Sequence, residues 1–273
     1  MGNVIQTNVA SLNSQRNLFR TNIGLNETFQ RLSSGFRINS AKDDAAGLQI
    51  SNQLTSQING LSVGIRNAND GLSVAQVGEG AQQEITNILQ RMRELALTAA
   101  NGTTADSGPE KIALNAEYQQ LISEVSRIAT TTAFGGTQLL DGTFGTNTLQ
   151  VGANAGETIA ISMVDATTLG ILSVVNITNA AAASGALTTI DTDITTIDTN
   201  RSQLGAIQNR LSSTIANLSN IIENASASRS RLRDADYALE TSNLARLQVL
   251  QQAGLSVLAQ ANAQSQGVLS LLQ

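Results

Sequence analysis

The sequence predicts a mainly α fold: a long antiparallel helical bundle or coiled-coil rod with a small β-hairpin region. Three observations lead there. Apolar residues recur at steps of three and four over most of the 273 residues. One stretch, about 134 to 186, breaks that rhythm, is rich in Gly and alternates apolar with small or polar residues. The chain is 41% hydrophobic but only 3% aromatic, which suits narrow seams between helices better than a thick globular interior.

In chain order, Leu18, Leu25, Phe29, Leu32 and Phe36 recur at spacings of three, four or seven, beside a neighbouring stripe of Ile5, Val9, Leu12, Phe19 and Ile23. They predict a long helix over about residues 5 to 33, interrupted from Ser34 and Gly35 to Ser40. A second seam runs through Leu54, Ile58, Leu61, Ile65, Ala68, Leu72 and Ala75, its steps averaging about 3.5 residues as in a coiled coil. Glu79 and Gln82 take the in-register positions of a polar gap, after which Ile85, Leu89, Met92, Leu95 and Ala99 resume the apolar spacing. Asn101-Gly102 and the only proline, Pro109, mark a loop and the next helix start. Leu114, Tyr118, Leu121, Val125 and Ile128 then make a shorter seam on a returning helix.

Past Phe134, Ile159, Ile161 and Met163 alternate with small or polar neighbours as a half-buried strand does, and Asp141-Gly142 is a turn signal. One or two short hairpins are expected, followed by an irregular tract ending near Gly185. The last seam runs from Leu187 through Ile190, Ile194, Ile197, Leu204, Leu211, Ile215, Leu218 and Ile222 to Leu232. Arg201, Gln208 and Arg229 intrude at in-register positions, where single polar residues can fix register at some cost in stability. Leu239, Leu244, Leu247, Leu250, Val257, Leu258, Val268 and Leu272 carry an apolar face onward. Unbroken from 187 to 271, this helix would exceed roughly 120 Å. Amphipathic helices at both ends must pair with each other, pair with a neighbouring subunit or stay disordered, so an intramolecular coiled coil and a self-assembling chain both remain open.

The absences are informative. With no His and no Cys there is no Ser-His-Asp triad, Cys nucleophile, HExxH zinc helix or thiolate metal site, which leaves carboxylate, Lys and Tyr chemistry, and no enzyme or cofactor is assigned. A net charge of −5 lacks the basic footprint of a nucleic-acid binder. "MGNVIQTNVASLNSQRN" has neither a basic leader nor an apolar run, so no secretory signal peptide is read there. No apolar stretch approaches the roughly 18 residues of a membrane span.

The adjacent acids Asp43 and Asp44 are the most site-like feature. Side by side in a helix they would point about 100° apart and could not share a proton or a metal. Ser40-Ala-Lys-Asp43 instead fits S-x-x-D, in which Ser40 accepts from the Asp43 amide and the Asp43 carboxylate reaches back to the Ser40 amide. Both acids are then expected in the first helical turn, favoured by the helix dipole. A second polar joint, "SASRSRLRDADY", offers Arg229, Arg231 and Arg233 before Asp234 and Asp236. If the two ends run side by side, these arginines are available to Asp43, Asp44 or a neighbouring subunit.

These joints carry a resemblance. "RLSSGFRINSAKDDAAGLQISNQL" (31 to 54), preceded by "NVASLNSQRNL", is similar to the N-terminal region of bacterial flagellins, and "LQRMRELALTAANGT" (89 to 103) and "FGGTQLLDG" (134 to 142) continue the match. "IENASASRSRLRDADYALETSNLARLQVLQQAGLSVLAQAN" and the terminal "VLSLLQ" resemble the flagellin C-terminal region. Leu247 stands where many members have Ala, the usual proline of the last turns is missing, and the variable central region is almost absent. The chain resembles a short flagellin.

The resemblance implies a structural subunit that polymerises into the extracellular filament of the bacterial flagellum for motility, secreted unfolded by type III export. It implies that residues 1–40 and 233–273 form an inner-tube domain, disordered in the monomer and folding on assembly. Residues 41–232 would be the rod-like core, with its β segment at about 134–186. Arg31, Asn39, Ser40, Asp43, Asp44, Arg229, Arg231, Arg233 and Asp234 are the joint and subunit-interface residues so implied. The partners implied are further copies of the chain, an export chaperone at the C-terminal helix, and hook-associated and cap proteins. Gln90, Arg91, Leu95 and Glu117 match positions through which a vertebrate Toll-like receptor sees some members; packing between protofilaments is the other use of that face. A hook-filament junction protein is the alternative, disfavoured by the intact "RINSAKDDAAGL" and "VLSLLQ". A secreted flagellin-like zinc protease has no His to use.

Overall fold

The computed structural model describes residues 7–174 and 176–270. It is mainly α, with helices α1 (Val9–Ser34), α2 (Ala45–Ala100), α3 (Pro109–Thr131), α4 (Ala180–Arg233) and α5 (Tyr237–Ser270). Two antiparallel hairpins lie between α3 and α4: β1 (Ala133–Phe134) with β2 (Thr137–Gln138), and β3 (Thr146–Gln150) with β4 (Thr158–Ser162). The chain divides into two compact units, Met1–Ser56 with Asn224–Gln273, and Gln57–Glu223.

In the central unit, α2 and α4 run antiparallel. Ile85, Leu89 and Met92 of α2, Tyr118 and Val125 of α3, and Ile190 and Ile197 of α4 are fully buried in one cluster. Each such side chain contributes about 1.5–3 kcal/mol relative to exposure. A second cluster packs Ile159, Ile161 and Met163 of the β4 region against Ala68 and Ala75 of α2 and Leu204 and Leu211 of α4. The period-2 alternation expected of that strand is what buries Ile159 and Ile161 on one face.

The polar residues that interrupt the two seams find polar partners on the facing helix. Gln82, completely buried, donates to Asn200 Oδ1 at 2.7 Å, Gln208 donates to Glu79 Oε2 at 2.8 Å, and Arg201 donates to Gln83. Asn200 also accepts from the Val164 amide at 3.3 Å and donates to the Ser162 carbonyl at 3.3 Å, tying the end of β4 to α4. One register of α2 against α4 satisfies these groups, because a shift along either helix separates them.

Gly60, Gly64, Gly71 and Gly78 form a track on α2 over which the β3–β4 hairpin lies. A Cβ at Gly64 would sit 2.4 Å from the Val151 carbonyl oxygen, and one at Gly78 would sit 2.7 Å from Met163 Cε. Asn67, on the same helix, donates to the Gln150 carbonyl at 2.8 Å.

Several element ends differ from the sequence expectation. α1 opens at Val9, where Asn8 accepts from the Ser11 amide at 3.0 Å. Ile5 and Leu272, counted in the terminal stripes, lie outside the described residues, as does the side chain of Val268. α4 opens at Ala180 rather than after Gly185, because Asn179 caps it by accepting from the Ala182 amide at 2.7 Å. The unbroken helix from 187 to 271 does not form: α4 stops at Arg233 and α5 restarts at Tyr237. Asp236 starts the new helix, its carboxylate accepting from the Ala238 amide at 2.9 Å and the Leu239 amide at 3.2 Å.

Candidate functional site

The terminal unit holds the joint. α1 ends where Gly35 adopts φ +75°, its amide donating to the Arg31 carbonyl at 2.8 Å. The chain then runs extended beside the break between α4 and α5, forming a single antiparallel β-bridge between Phe36 and Asp234. The Arg37 amide donates to the Arg233 carbonyl at 2.6 Å and the Ala235 amide to the Gly35 carbonyl at 2.9 Å. Tyr237 donates its hydroxyl to the Leu32 carbonyl at 2.8 Å, and Ile38 is buried beneath the bridge region at 1% exposure. The two polar joints of the sequence are therefore in contact.

Their side chains pair differently from expectation. Arg233 does not reach Asp43 or Asp44: its guanidinium lies 4.2 Å from the Phe36 ring centroid, a cation–π contact. Arg229 donates to Thr55 Oγ1 and Arg231 to Ser228 Oγ, both at 3.3 Å. Asp234 accepts from the Ser230 hydroxyl at 2.6 Å. Arg31 makes the cross-element ion pair, reaching Glu240 of α5 at 3.1 Å and Glu27 of its own helix at 2.6 Å. Asn39 donates to Ser34 Oγ at 2.8 Å, closing the loop back on α1.

Asp43 and Asp44 act separately. Asp43 Oδ2 accepts from the Ser40 amide at 2.8 Å, the Ser40 hydroxyl at 3.0 Å and the Asn39 amide at 3.1 Å. The Ser40 amide, then the Asn39 amide and Ser40 hydroxyl, hold its carboxyl below the usual carboxylate range. The Ser40 side chain thus donates where it was expected to accept, and the Asp43 amide is taken by the Ser40 carbonyl at 3.1 Å. Neither acid lies within the first helical turn. α2 starts at Ala45 and Asp44 is its cap, accepting from the Gly47 amide at 2.8 Å. Among the described residues no group of three or more acids could hold a metal ion.

In the sequence Phe36 stands only in an apolar stripe and Asp236 only in the second polar joint, and nothing there marks Tyr237 or Glu240 as contacts of the joint. Asp236 was visible as a helix-start signal, but the apolar spacing on either side of it was continuous enough to mask the break.

Along α1 and α5, the two apolar stripes of α1 have different fates. Leu18 is buried on α5 near Gly254, where a Cβ would lie 3.0 Å from Leu18 Cγ, and Leu25 and Leu32 are half-buried, while Phe29 of the same stripe is exposed. Asn8 donates to the Ala261 carbonyl at 2.8 Å and Gln251 to Asn22 Oδ1 at 2.9 Å, fixing the antiparallel pair. The other stripe stays open: Val9, Leu12, Phe19 and Ile23 are exposed, Phe19 by 66%, and α5 leaves Leu239, Val249, Leu255 and Val257 exposed as well. Such a density of large apolar side chains on one helix pair marks an association surface.

In the central unit, Arg91 bridges Glu117 of α3 at 2.8 Å and Glu94 of its own helix at 3.0 Å. Gln90 is exposed beside it. Leu95 is not part of this surface; at 3% exposure it belongs to the core, which corrects its assignment as a contact residue. Leu97, 59% exposed, is the large apolar side chain that α2 leaves uncovered nearby in sequence.

Two family models match: a bacterial flagellin N-terminal helical region over residues 5–145 and a bacterial flagellin C-terminal helical region over 187–272. A flagellin of Halalkalibacterium halodurans is 45% identical over 276 residues, covering 99% of this chain and 100% of its own. A B-type flagellin of Pseudomonas aeruginosa is 57% identical over 166 residues, which span 61% of this chain and only 34% of that one. The crystal structure of Bacillus cereus flagellin superposes with a TM-score of 0.52 at 34% identity, covering 56% of this chain and 88% of that one.

Proposed function

This chain belongs to the bacterial flagellin family, and from that premise we propose that it polymerises by folding its two ends against neighbouring copies. It is a structural subunit of the bacterial flagellar filament, outside the cell, and serves motility. The family is one of structural proteins rather than enzymes. The hook-filament junction alternative finds no support among the family matches and relatives.

The observation that carries the assembly reading is the uncovered second stripe of α1, Val9, Leu12, Phe19 and Ile23, together with its counterpart on α5. An isolated helix pair that leaves so many large apolar side chains in water gains too little burial to offset its ordering entropy. Residues 1–40 and 233–273 are therefore the inner-tube domain, disordered in the monomer and ordered when other copies cover the stripe. Residues 41–232 are the core that folds beforehand, with Arg31, Asn39, Ser40, Asp43, Asp44, Arg229, Arg231, Arg233 and Asp234 at or beside the joint between them.

The same uncovered face of α5 suits an export chaperone that guards it before assembly, and hook-associated and cap proteins would meet it at the filament ends. Gln90, Arg91 and Glu117 form the polar surface that would meet a protofilament neighbour or a vertebrate Toll-like receptor.

Deletion of residues 233–273 tests the mechanism. The truncated chain should remain soluble and helical by circular dichroism yet fail to polymerise on salting out, whereas the full chain gives filaments in electron micrographs. Filaments grown from the truncated chain would refute assembly-coupled folding of the ends.

A further inference from the structure

The chain contains two Asn-Gly dipeptides, Asn59-Gly60 and Asn101-Gly102, and the fold places them in opposite environments. Asn59 lies inside α2, where the Gly60 amide belongs to the helical ladder and a Cβ at Gly60 would come within 2.9 Å of Ala153 Cβ. Asn101 is the first residue beyond α2, and both it and Gly102 are exposed. Nothing lies within 4 Å of where a Gly102 side chain would begin.

We propose that Asn101-Gly102 is a site of spontaneous deamidation, which the fold permits there and blocks at Asn59-Gly60. The Gly102 backbone nitrogen attacks Asn101 Cγ, forming the new C–N bond of a five-membered succinimide. The Cγ–Nδ2 bond breaks and ammonia leaves, its third proton balancing the one lost from the Gly102 nitrogen. Water then opens either carbonyl of the ring, giving aspartate or isoaspartate, so one water is consumed for each ammonia released. No enzyme or cofactor is needed.

Three features of the loop favour the step. Glycine puts no Cβ in the path of the attacking nitrogen. The Thr103 amide donates to Asn101 Oδ1 at 3.2 Å, polarising the carbonyl that is attacked and holding the side chain over the following residues. The loop is also anchored at its far half: Asp106 accepts from Lys111 Nζ at 2.7 Å and from the Ala180 amide at 3.2 Å, and the Ser107 amide donates to the Thr178 carbonyl at 2.9 Å. Residues 101 to 104 can turn into the cyclic geometry while those bonds stay made.

The product matters to the helix it follows. A carboxylate at 101 stands against the carbonyl end of α2, whose last turn carries no basic residue to neutralise it. The isoaspartate form also lengthens the backbone at the point where α2 hands over to the loop.

The test is incubation of the full-length chain at mildly alkaline pH, folded in buffer and unfolded in urea, followed by digestion and mass spectrometry. In the folded chain the peptide holding residue 101 should gain the acid mass and split into aspartate and isoaspartate isomers, while the peptide holding residue 59 keeps its amide. In urea both should convert. Gly102→Ala, whose fold is checked by circular dichroism, should lose the conversion at 101. Retention of the amide at 101 in the folded chain overturns the proposal, and so does conversion of Asn59 as fast as Asn101 while the chain is folded.

Discussion

Gln82 and Asn200 meet in the buried seam between α2 and α4, the Gln82 amide donating to Asn200 Oδ1 at 2.7 Å. Asn200 serves the hairpin as well, through the Val164 amide and the Ser162 carbonyl, whereas Gln82 Oε1 has no partner. The two residues are thus unequal. Asn200→Ala should cost about 1–3 kcal/mol, because it strands a buried side-chain donor and a backbone amide together. Gln82→Ala should cost less, since Asn200 keeps its two backbone bonds. Urea midpoints of the two variants check the order.

Tyr118 is fully buried and its hydroxyl has no hydrogen-bond partner. Burial, with a smaller contribution from the nearby Asp193 charge, pushes its pKa above the ordinary value of 10.0. The folded chain then holds this proton more tightly than the unfolded chain does. Its stabilising contribution is complete below the unfolded value and is lost as pH rises above it. Tyr118→Phe should leave neutral-pH stability within about 1 kcal/mol of the parent, or raise it, by removing an unsatisfied hydroxyl. It should also flatten the decline in urea midpoint between pH 9 and pH 11. An unchanged alkaline decline would assign that loss to other groups.

The same Gly→Ala exchange should have opposite signs at two positions of α2. At Gly80 nothing lies within 4 Å of the added Cβ, so the helix gains about 0.5–1 kcal/mol. At Gly64 the Cβ would lie 2.4 Å from the Val151 carbonyl oxygen, and backbone has little freedom to move. There the helix-propensity gain is outweighed by overpacking of about 1–3 kcal/mol. Melting temperatures of the two variants should fall on either side of the parent's.

Apolar spacing made most of the fold legible in the sequence. Leu89, Met92, Val125, Ile190 and Ile197 stand at in-register positions, and all are core. Less legible was what filled the gaps between them. Gln82, Arg201 and Gln208 read as interruptions in separate helices, and their pairing partners became visible only when α2 and α4 lay side by side. Gly64, Gly71 and Gly78 recur at heptad spacing, yet a coiled-coil reading gives glycine no role; the hairpin that needs them is distant in sequence. The charges pointed to the joint, but within the chain Arg229, Arg231 and Arg233 do not pair with Asp43 or Asp44. Asp43 and Asp44 are engaged by local amides, and Arg233 lies over the Phe36 ring instead.

Arg233 and Phe36 supply the last prediction. Their contact has the guanidinium 4.2 Å from the ring centroid, beside the backbone bonds that join residues 35–37 to 233–235. A cation over a ring at a partly exposed site contributes about 0.5–1 kcal/mol. A double-mutant cycle on Arg233→Ala and Phe36→Leu, read from the heat depolymerisation of filaments, should return a coupling of that size. The corresponding cycle on Arg233→Ala and Asp43→Asn should return none, because the Asp43 carboxylate is already held by Ser40 and Asn39. If Arg233 and Asp43 couple instead, and added salt erases the coupling, the joint is an ion pair in the filament and the ring contact is incidental.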